Sequence, residues 1–596
     1  MAGQSRGRHR TNVQQQAARK ETLPTPKNIN KSTKSSTVEI TSISSSSRVW
    51  APGTYTALKV LMSARFISAI FGIISDCDET YNYWEPSHYL LYGSGFQTWE
   101  YSPQFALRSY FYLMLHAAPA WLYDAIISNK RVMVFFFMKC LLGALSSACD
   151  IYFYRGVVLV YGGCVGRITL CLLVFSAGLF AAANAFLPSS FAMYAVSCGI
   201  GAWLHRKYKL TILCFAVASF IAWPFAALIG VPIAYDIVVR KGNLTLFVKW
   251  SLISTIIIMG PMITVDSSYY GRLVVAPANL LLYNLFTSHG PNLYGTEPWT
   301  YYFVNGFLNF NVAFLLALAA LPIYVASRAI TGATRSAYFP VSLVLSPLYL
   351  WLLVFVVQPH KEERFLFPVY PLICLAAAIA IDSIEKAVAL FPWRAVGQKA
   401  CWLTVLLLAL SSTISVSRII AQYRGYSAPM HVFMELLKIE DPSLGNESAA
   451  KTRVCLGKEW HRFPSSFFLP GDRWEVQFIK SEFKGQLPQH FLNTIDGPSV
   501  LHDNFNDLNQ EETDRYVKPQ SCHYLVDMDS PNAGGLEPQY SAQTDKWKTV
   551  ISFPFLDAAR SPRWLRAFYV PFYTERHCAY NSYNLLQNIA LVKQTT

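Results

Sequence analysis

Residues 75–103 read SDCDETYNYWEPSHYLLYGSGFQTWEYSP. Three carboxylates, Asp76, Asp78 and Glu79, fall within four residues, directly after an apolar run from Ala57 to Ile74. Ionised groups are costly in hydrocarbon and are tolerated only where they meet water or a protein interior. The cluster therefore marks a membrane surface or a wet cavity facing one. Acid groups held there beside Tyr81, Tyr83 and Trp84 suit a catalytic base working on a sugar or a lipid-borne substrate. An acidic loop that only caps a helix is the competing reading.

Composition extends this to the whole chain. Of 596 residues, 53% are hydrophobic and 14% charged, and mean hydropathy is +0.27. Soluble domains carry about 25% charged residues. Apolar runs recur from residue 57 to about 420, among them VMVFFFMKCLLGALSSAC (132–149), LFVKWSLISTIIIMGPMITV (246–265), VSLVLSPLYLWLLVFVV (341–357) and WLTVLLLALSSTISV (402–416). A spanning helix takes roughly 20 apolar residues, so the runs amount to about ten to twelve crossings.

Residues 1–48 are polar and rich in Ser, Thr and Gln, with nine Lys or Arg against Glu21 and Glu39. Such a basic head, without apolar period, is expected to be disordered and cytosolic. It holds no folded element for nucleic-acid recognition. Lys130-Arg131, His205-Arg206-Lys207, Arg240-Lys241, Arg328 with Arg335, and 386–399 read as cytosolic turns. Loops 75–102, 266–300 and 358–364 then share the opposite face. The long apolar stretch between Lys207 and Arg240 is expected to break near Trp223-Pro224. A head inside and a tail outside require an odd number of crossings, here about eleven.

The composition turns mixed and polar after residue 420. Turn signals (LPGDRW, DSPNAGG) and strand-like runs (WEVQFI, HYLVDMD) predict one α/β domain over 421–596. Eight of twelve cysteines lie in or beside apolar spans. Cys77, Cys455, Cys522 and Cys578 fall on the face assigned to an oxidising lumen. Cys455 and Cys522 sit in strand-like runs and are expected to pair, with two reduced core cysteines as the alternative. A loop of that length is worth on the order of 4 kcal/mol in chain entropy. Asn446-Glu447-Ser448 is the one sequon on the expected luminal side.

Two further polar groups share the face of the first. In 288–311, His289, Tyr294, Glu297 and Trp299 could build a sugar platform, or an interfacial aromatic belt. In QPHKEERFLFPVYP (358–371), His360, Lys361 and Arg364 suit a lipid-borne phosphate. A solvated turn is the alternative. Asp76-x-Asp78 also has the form of a metal-binding pair.

Together these words resemble the endoplasmic-reticulum mannosyltransferases that use dolichyl-phosphate-mannose, within the membrane glycosyltransferase class GT-C (family GT22). The resemblance is carried by residues 75–103, AFLPSSFAMY (185–194), HGPNLYGTEPW (289–299), NGFLNFNVAF (305–314), QPHKEERFLFPVYPLICL (358–375) and GKEWHRFPSSFFLP (457–470). Its nearest branch is the α-1,2-mannosyltransferases of asparagine-linked glycan assembly. The resemblance implies a mainly α, polytopic GT-C bundle (49–420) with the 421–596 domain in the lumen. It implies inverting transfer of mannose from dolichyl-phosphate-mannose to a dolichyl-pyrophosphate oligosaccharide, at two separate steps. No metal cofactor is expected. Asp78 matches the family's base, with Glu79 supporting it and His360, Lys361 and Arg364 on the donor phosphate. Tyr83, Trp84, Glu85, His289, Tyr294, Glu297 and Trp299 are the candidates for the acceptor. Relatives carry His-Pro where this chain has Asp76-Cys77, which makes Asp76 a second candidate base. The alternatives are an α-1,6-mannosyltransferase of the same pathway, a glycolipid-anchor mannosyltransferase, or a polytopic lipid or sugar transporter. Internal repeats, common in transporters, are not visible.

Overall fold

The computed structural model describes residues 49–592, apart from 129, 287–292, 294, 333–337, 391–398, 440–450, 493, 495, 503 and 532–533. The basic head, His289, Tyr294 and Asn446 lie outside the described residues. Val49–Thr596 forms one compact unit.

Apolar runs become helices, as the length of each allows. Four described helices are long and apolar enough to cross a bilayer: Arg131–Tyr161, Leu244–Tyr270, Glu363–Ala389 and Ala400–Tyr426. A bent pair, Val312–Leu318 with Ala320–Thr331, makes up to five. Gly163–Phe175, Tyr208–Ala222 and Val341–Val357 are apolar but shorter. The chain stops its first long helix at Gly162, whose φ of 91° favours glycine. The 208–240 stretch breaks where Trp223 turns extended (φ −144°) ahead of Pro224, because the residue before a proline resists the helical region.

The innermost helix is Tyr370–Ala389, with Tyr370 through Ser383 all buried. Its Ala376, Ala377, Ala378 and Ala380 allow neighbouring helices to approach closely. Polar groups tie the bundle together where packing alone would slide. Asn311 adopts φ 45° and opens the helix beginning at Val312, capping the Val312 N–H at 2.7 Å. Its amide also reaches the Ser411 carbonyl (3.1 Å) and Ser415 Oγ (2.9 Å) of the helix Ala400–Tyr426. Arg65 and Asp150 pair at 3.1 Å deep in the bundle, with Ser197 on the second carboxylate oxygen.

Among the described residues seven strands occur: β1 (Phe96–Gln97), β2 (Thr452–Leu456), β3 (Trp474–Phe478), β4 (Gln489–His490), β5 (Tyr524–Met528), β6 (Trp547–Leu556) and β7 (Tyr580–Asn588). Five of them make a sheet of order β3-β2-β5-β7-β6. β2 runs parallel to β3 and β5, whereas β7 is antiparallel to β5 and β6. The disulfide joins Cys455 to Cys522 across Cα atoms 5.8 Å apart. The boundary expected at 420/421 falls inside the helix Ala400–Tyr426. Its last turns turn polar before the helix ends because they pack on the sheet domain, Ser417 Oγ donating to the Tyr569 carbonyl at 2.8 Å. β1 pairs with β4, so the first loop is sewn into the tail 390 residues later in the sequence.

Candidate active site

The loop after the first helix is built as a set of caps. Asp76 is extended (φ −122°) and accepts the Asp78 N–H at 3.0 Å, capping a single turn, Cys77–Glu79. A wider turn, Thr80–Trp84, follows. The helix Glu85–Tyr92 carries Pro86 in its first turn and ends at Gly93, φ 72°.

This winding sends the acids to different places. Asp76 and Asp78 turn outward to the same guanidinium. Arg364 donates from Nη1 to Asp76 Oδ2 (3.0 Å) and from Nη2 to Asp78 Oδ2 (2.5 Å), and its Nε pairs with Glu362. Glu79 turns inward, accepting Trp84 Nε1–H and the Phe186 N–H, both at 3.0 Å. Glu85 is fully buried and accepts from Ser466 N (2.6 Å), Ser466 Oγ (2.8 Å), Ser465 Oγ (2.9 Å) and Phe96 N (3.2 Å).

Asp76 and Asp78 are not equivalent. Both oxygens of Asp76 are engaged, whereas Oδ1 of Asp78 has no partner among the described residues and its side chain is the more exposed, 37% against 28%. Burial pushes the Asp76 carboxyl up to about 7, against the pull of Arg364. Burial pushes Asp78 upward too, but Arg364 and Arg108 outweigh it and hold that carboxyl below the usual range. Ligand atoms of Asp76, Cys77 and Asp78 lie within 4.8 Å of one another. That spacing fits a divalent cation, but the Arg364 fork already bridges the two carboxylates.

The structure brings His360, Lys361 and Arg364 beside the acids, with their donors already committed. His360 binds the Gly295 carbonyl and Glu362, both at 2.9 Å, and the Glu362 bond raises its pKa. Lys361 donates to the Glu297 carbonyl (2.8 Å) and to the Gln358 carbonyl. The trio is a clamp that ties the 295–297 loop and the two aspartates together.

A cavity of about 1240 Å³ lies against this clamp, with Asp76, Glu79 and Lys361 in its wall. Val304, Leu308 and Leu187 give it apolar lining, and the tail contributes both polar residues, Arg462 and Asn581, and apolar ones, Phe555 and Trp564. Tyr83, Trp84 and Glu85 do not line it. All three acceptor candidates are buried, with the rings of Trp84 and Phe135 4.2 Å apart between centroids. Trp299 is exposed and packs edge-on against Phe303, outside the cavity wall. Glu297 contributes its backbone, which pairs with Pro359 and Lys361.

Sequence reasoning missed Arg418, Trp564, Arg566 and Asn581, which the fold carries to the cavity from far along the chain. His461 and Arg462 lay in the quoted GKEWHRFP word, without an assigned role. Arg462 is held by both oxygens of Glu459 at 2.8 and 2.7 Å.

Residues 56–470 match the model of the Alg9-like mannosyltransferase family. The chain is 46% identical to the alpha-1,2-mannosyltransferase ALG9 of Mus musculus over 556 residues, covering 91% of this chain and 90% of the mouse protein. Identity to the Homo sapiens ALG9 is also 46%, with the same coverage. The Saccharomyces cerevisiae ALG9 is 31% identical over 86% of this chain and 91% of its own. Among solved structures, ArnT from Cupriavidus metallidurans bound to undecaprenyl phosphate aligns at a TM-score of 0.46 and 13% identity, over 71% of this chain and 85% of that one.

Proposed function

The chain belongs to the Alg9-like mannosyltransferase family, and from that premise we propose that it is an α-1,2-mannosyltransferase of asparagine-linked glycan assembly. The donor is dolichyl-phosphate-mannose and the acceptor a dolichyl-pyrophosphate oligosaccharide. Two separate mannoses are added, in the lumen of the endoplasmic reticulum, by a multi-pass GT-C bundle with its sheet domain on the luminal side.

The observation that carries this reading is the aspartate pair clamped by Arg364, with Asp76 and Arg364 themselves in the wall of a cavity lined by both apolar and polar side chains. That shape suits a substrate that is part lipid and part sugar. Transfer with inversion needs one base for the attacking 2-hydroxyl and no second nucleophilic carboxylate. Asp78 is the proposed base: it stays ionised beside Arg364 and Arg108, and its Oδ1 is free to take a proton. Asp76 caps the turn, shares Arg364 and fixes the angle of Asp78. A second reading makes Asp76 the base, because it lines the cavity and its carboxyl near 7 matches the working pH. Glu79, bonded to Trp84 and Phe186, supports the loop. Arg364 supplies positive charge where a metal would otherwise stand, so the reaction is expected to proceed without one.

Purified enzyme given dolichyl-phosphate-mannose and defined lipid-linked acceptors tests the reading. New α-1,2 linkages on two different acceptors are expected. An α-1,6 product or no transfer would overturn it.

A further inference from the structure

The donor's leaving group is a phosphate, yet the cations nearest the acids are occupied. Lys139 donates to the Gly72 carbonyl at 2.7 Å, Lys361 to two carbonyls, and Arg364 to three carboxylates. Arg462 is neutralised by Glu459, and Arg566 donates to the Ala558 carbonyl at 2.7 Å. Apart from the exposed Arg563, one cation in the cavity wall is different. Arg418, near the end of the helix Ala400–Tyr426, makes one hydrogen bond among the described residues, from Nη1 to the Ala567 carbonyl at 3.2 Å. Its Nε is shielded from solvent and has no partner among the described residues. Glu363 acts on it electrostatically without forming an ion pair. A buried guanidinium donor left unsatisfied in a folded protein calls for an acceptor that arrives later.

The surroundings say what kind of acceptor. Val304 and Leu308, on the helix Tyr301–Phe310, give the same cavity apolar lining. Gln422, one turn beyond Arg418, adds an amide to the wall. An anion on the end of a long apolar chain would place its charge at Arg418 and its tail along Val304 and Leu308. A guanidinium fork matches the oxygens of a phosphate.

We infer that Arg418 is the phosphate anchor of a lipid-linked substrate, in the wall of the same cavity as the Arg364 clamp. This rests on the mannosyltransferase reading for the identity of the substrates, which offer two sources: the donor's monophosphate and the acceptor's diphosphate. Arg364 then holds the base while Arg418 holds the substrate phosphate. The two arginines do separate work.

The test compares wild type with Arg418→Gln, Arg418→Lys and Ser417→Ala. Ser417→Ala removes the neighbouring bond between helix and tail while leaving the guanidinium in place. Binding of a short-chain polyprenyl phosphate to the purified protein is measured first, then KM for each substrate. Arg418→Gln is expected to weaken binding by a factor of about 10–100, the worth of charged hydrogen bonds, with Arg418→Lys in between and Ser417→Ala unchanged. A raised donor KM assigns the monophosphate, and a raised acceptor KM the diphosphate. Either supports the anchor. Unchanged binding and KM values in Arg418→Gln, with only the amount of folded enzyme reduced, would overturn it and leave Arg418 a tie to Ala567. Wild type that binds the phosphate but transfers no mannose would sink the transferase reading and not the anchor.

Discussion

Asp76 and Asp78 stand a few residues from Glu79 and Glu85, and the two pairs of carboxylates have opposite fates. The aspartates, of which Asp76 lines the cavity, share one arginine. The glutamates are buried and held by fixed donors: an indole and a backbone N–H on one oxygen of Glu79, at the cavity wall, and two hydroxyls and two backbone N–H groups for Glu85. An anion held by rigid, uncharged donors is a structural fastener. An anion held by a charged fork with one oxygen spare can still accept a proton. The difference lies in where a helical turn points each residue, since the four acids are chemically alike.

The comparison is most exposed to Asp78→Asn. The amide keeps the shape and loses the proton acceptor, so turnover should fall by a factor of about 10²–10⁴ with expression and donor binding intact. Near-normal turnover would transfer the role to Asp76. Arg364→Lys should come next. A single ammonium cannot bridge two carboxylates, and a loss of about tenfold to a hundredfold in kcat/KM is expected. Thermal unfolding of that variant should stay close to wild type; a large drop would make the clamp structural.

On the other side of the comparison, Glu85→Gln should lower stability by about 1–3 kcal/mol by weakening a buried charged hub. Activity per folded molecule should hardly change. A selective fall in kcat at full stability would erase the distinction between the pairs. The pH profile should show a smaller effect. Asp76 has its carboxyl raised to about 7, so it gains a proton as pH falls through that value and its hold on Arg364 weakens. Transfer should decline on the acid side of pH about 7, and Asp76→Asn should move that limb toward lower pH. A limb left in place would assign it elsewhere, the titration being shared within the pair. Chelator should have the least effect of all, none, since Arg364 bridges the acids. Activity that vanishes and returns with manganese or magnesium would contradict this.

Much of this could be read from the sequence because the decisive signals are local. Carboxylates after an apolar run announce a boundary, Trp223-Pro224 announces a break, and WEVQF and YLVDM announce strands β3 and β5. Orientation was hidden. Nothing local shows that Tyr83, Trp84 and Glu85 turn into the core, because the Phe186 ring that packs on Tyr83 and Trp84 and the Ser465 and Ser466 donors of Glu85 lie far along the chain. The long strands β6 and β7 were also missed: β6 alternates only partly, with a proline at 554 that suits an edge position. Arg418 looked like an ordinary basic residue near a helix end. Its significance comes from a carbonyl on Ala567 and a cavity, neither visible within its own stretch of sequence.

Glu85 meets Ser465 across 380 positions, and Phe96 pairs with His490 in the strands β1 and β4. During synthesis the loop that bears the aspartates emerges early and waits for most of the protein before its fasteners exist. A ribosome that stops after the last membrane helix leaves a nascent chain with its acids present and unset. The enzyme is therefore silent until it is nearly whole, and a truncation far downstream of Asp78 should resemble an active-site lesion in its effect.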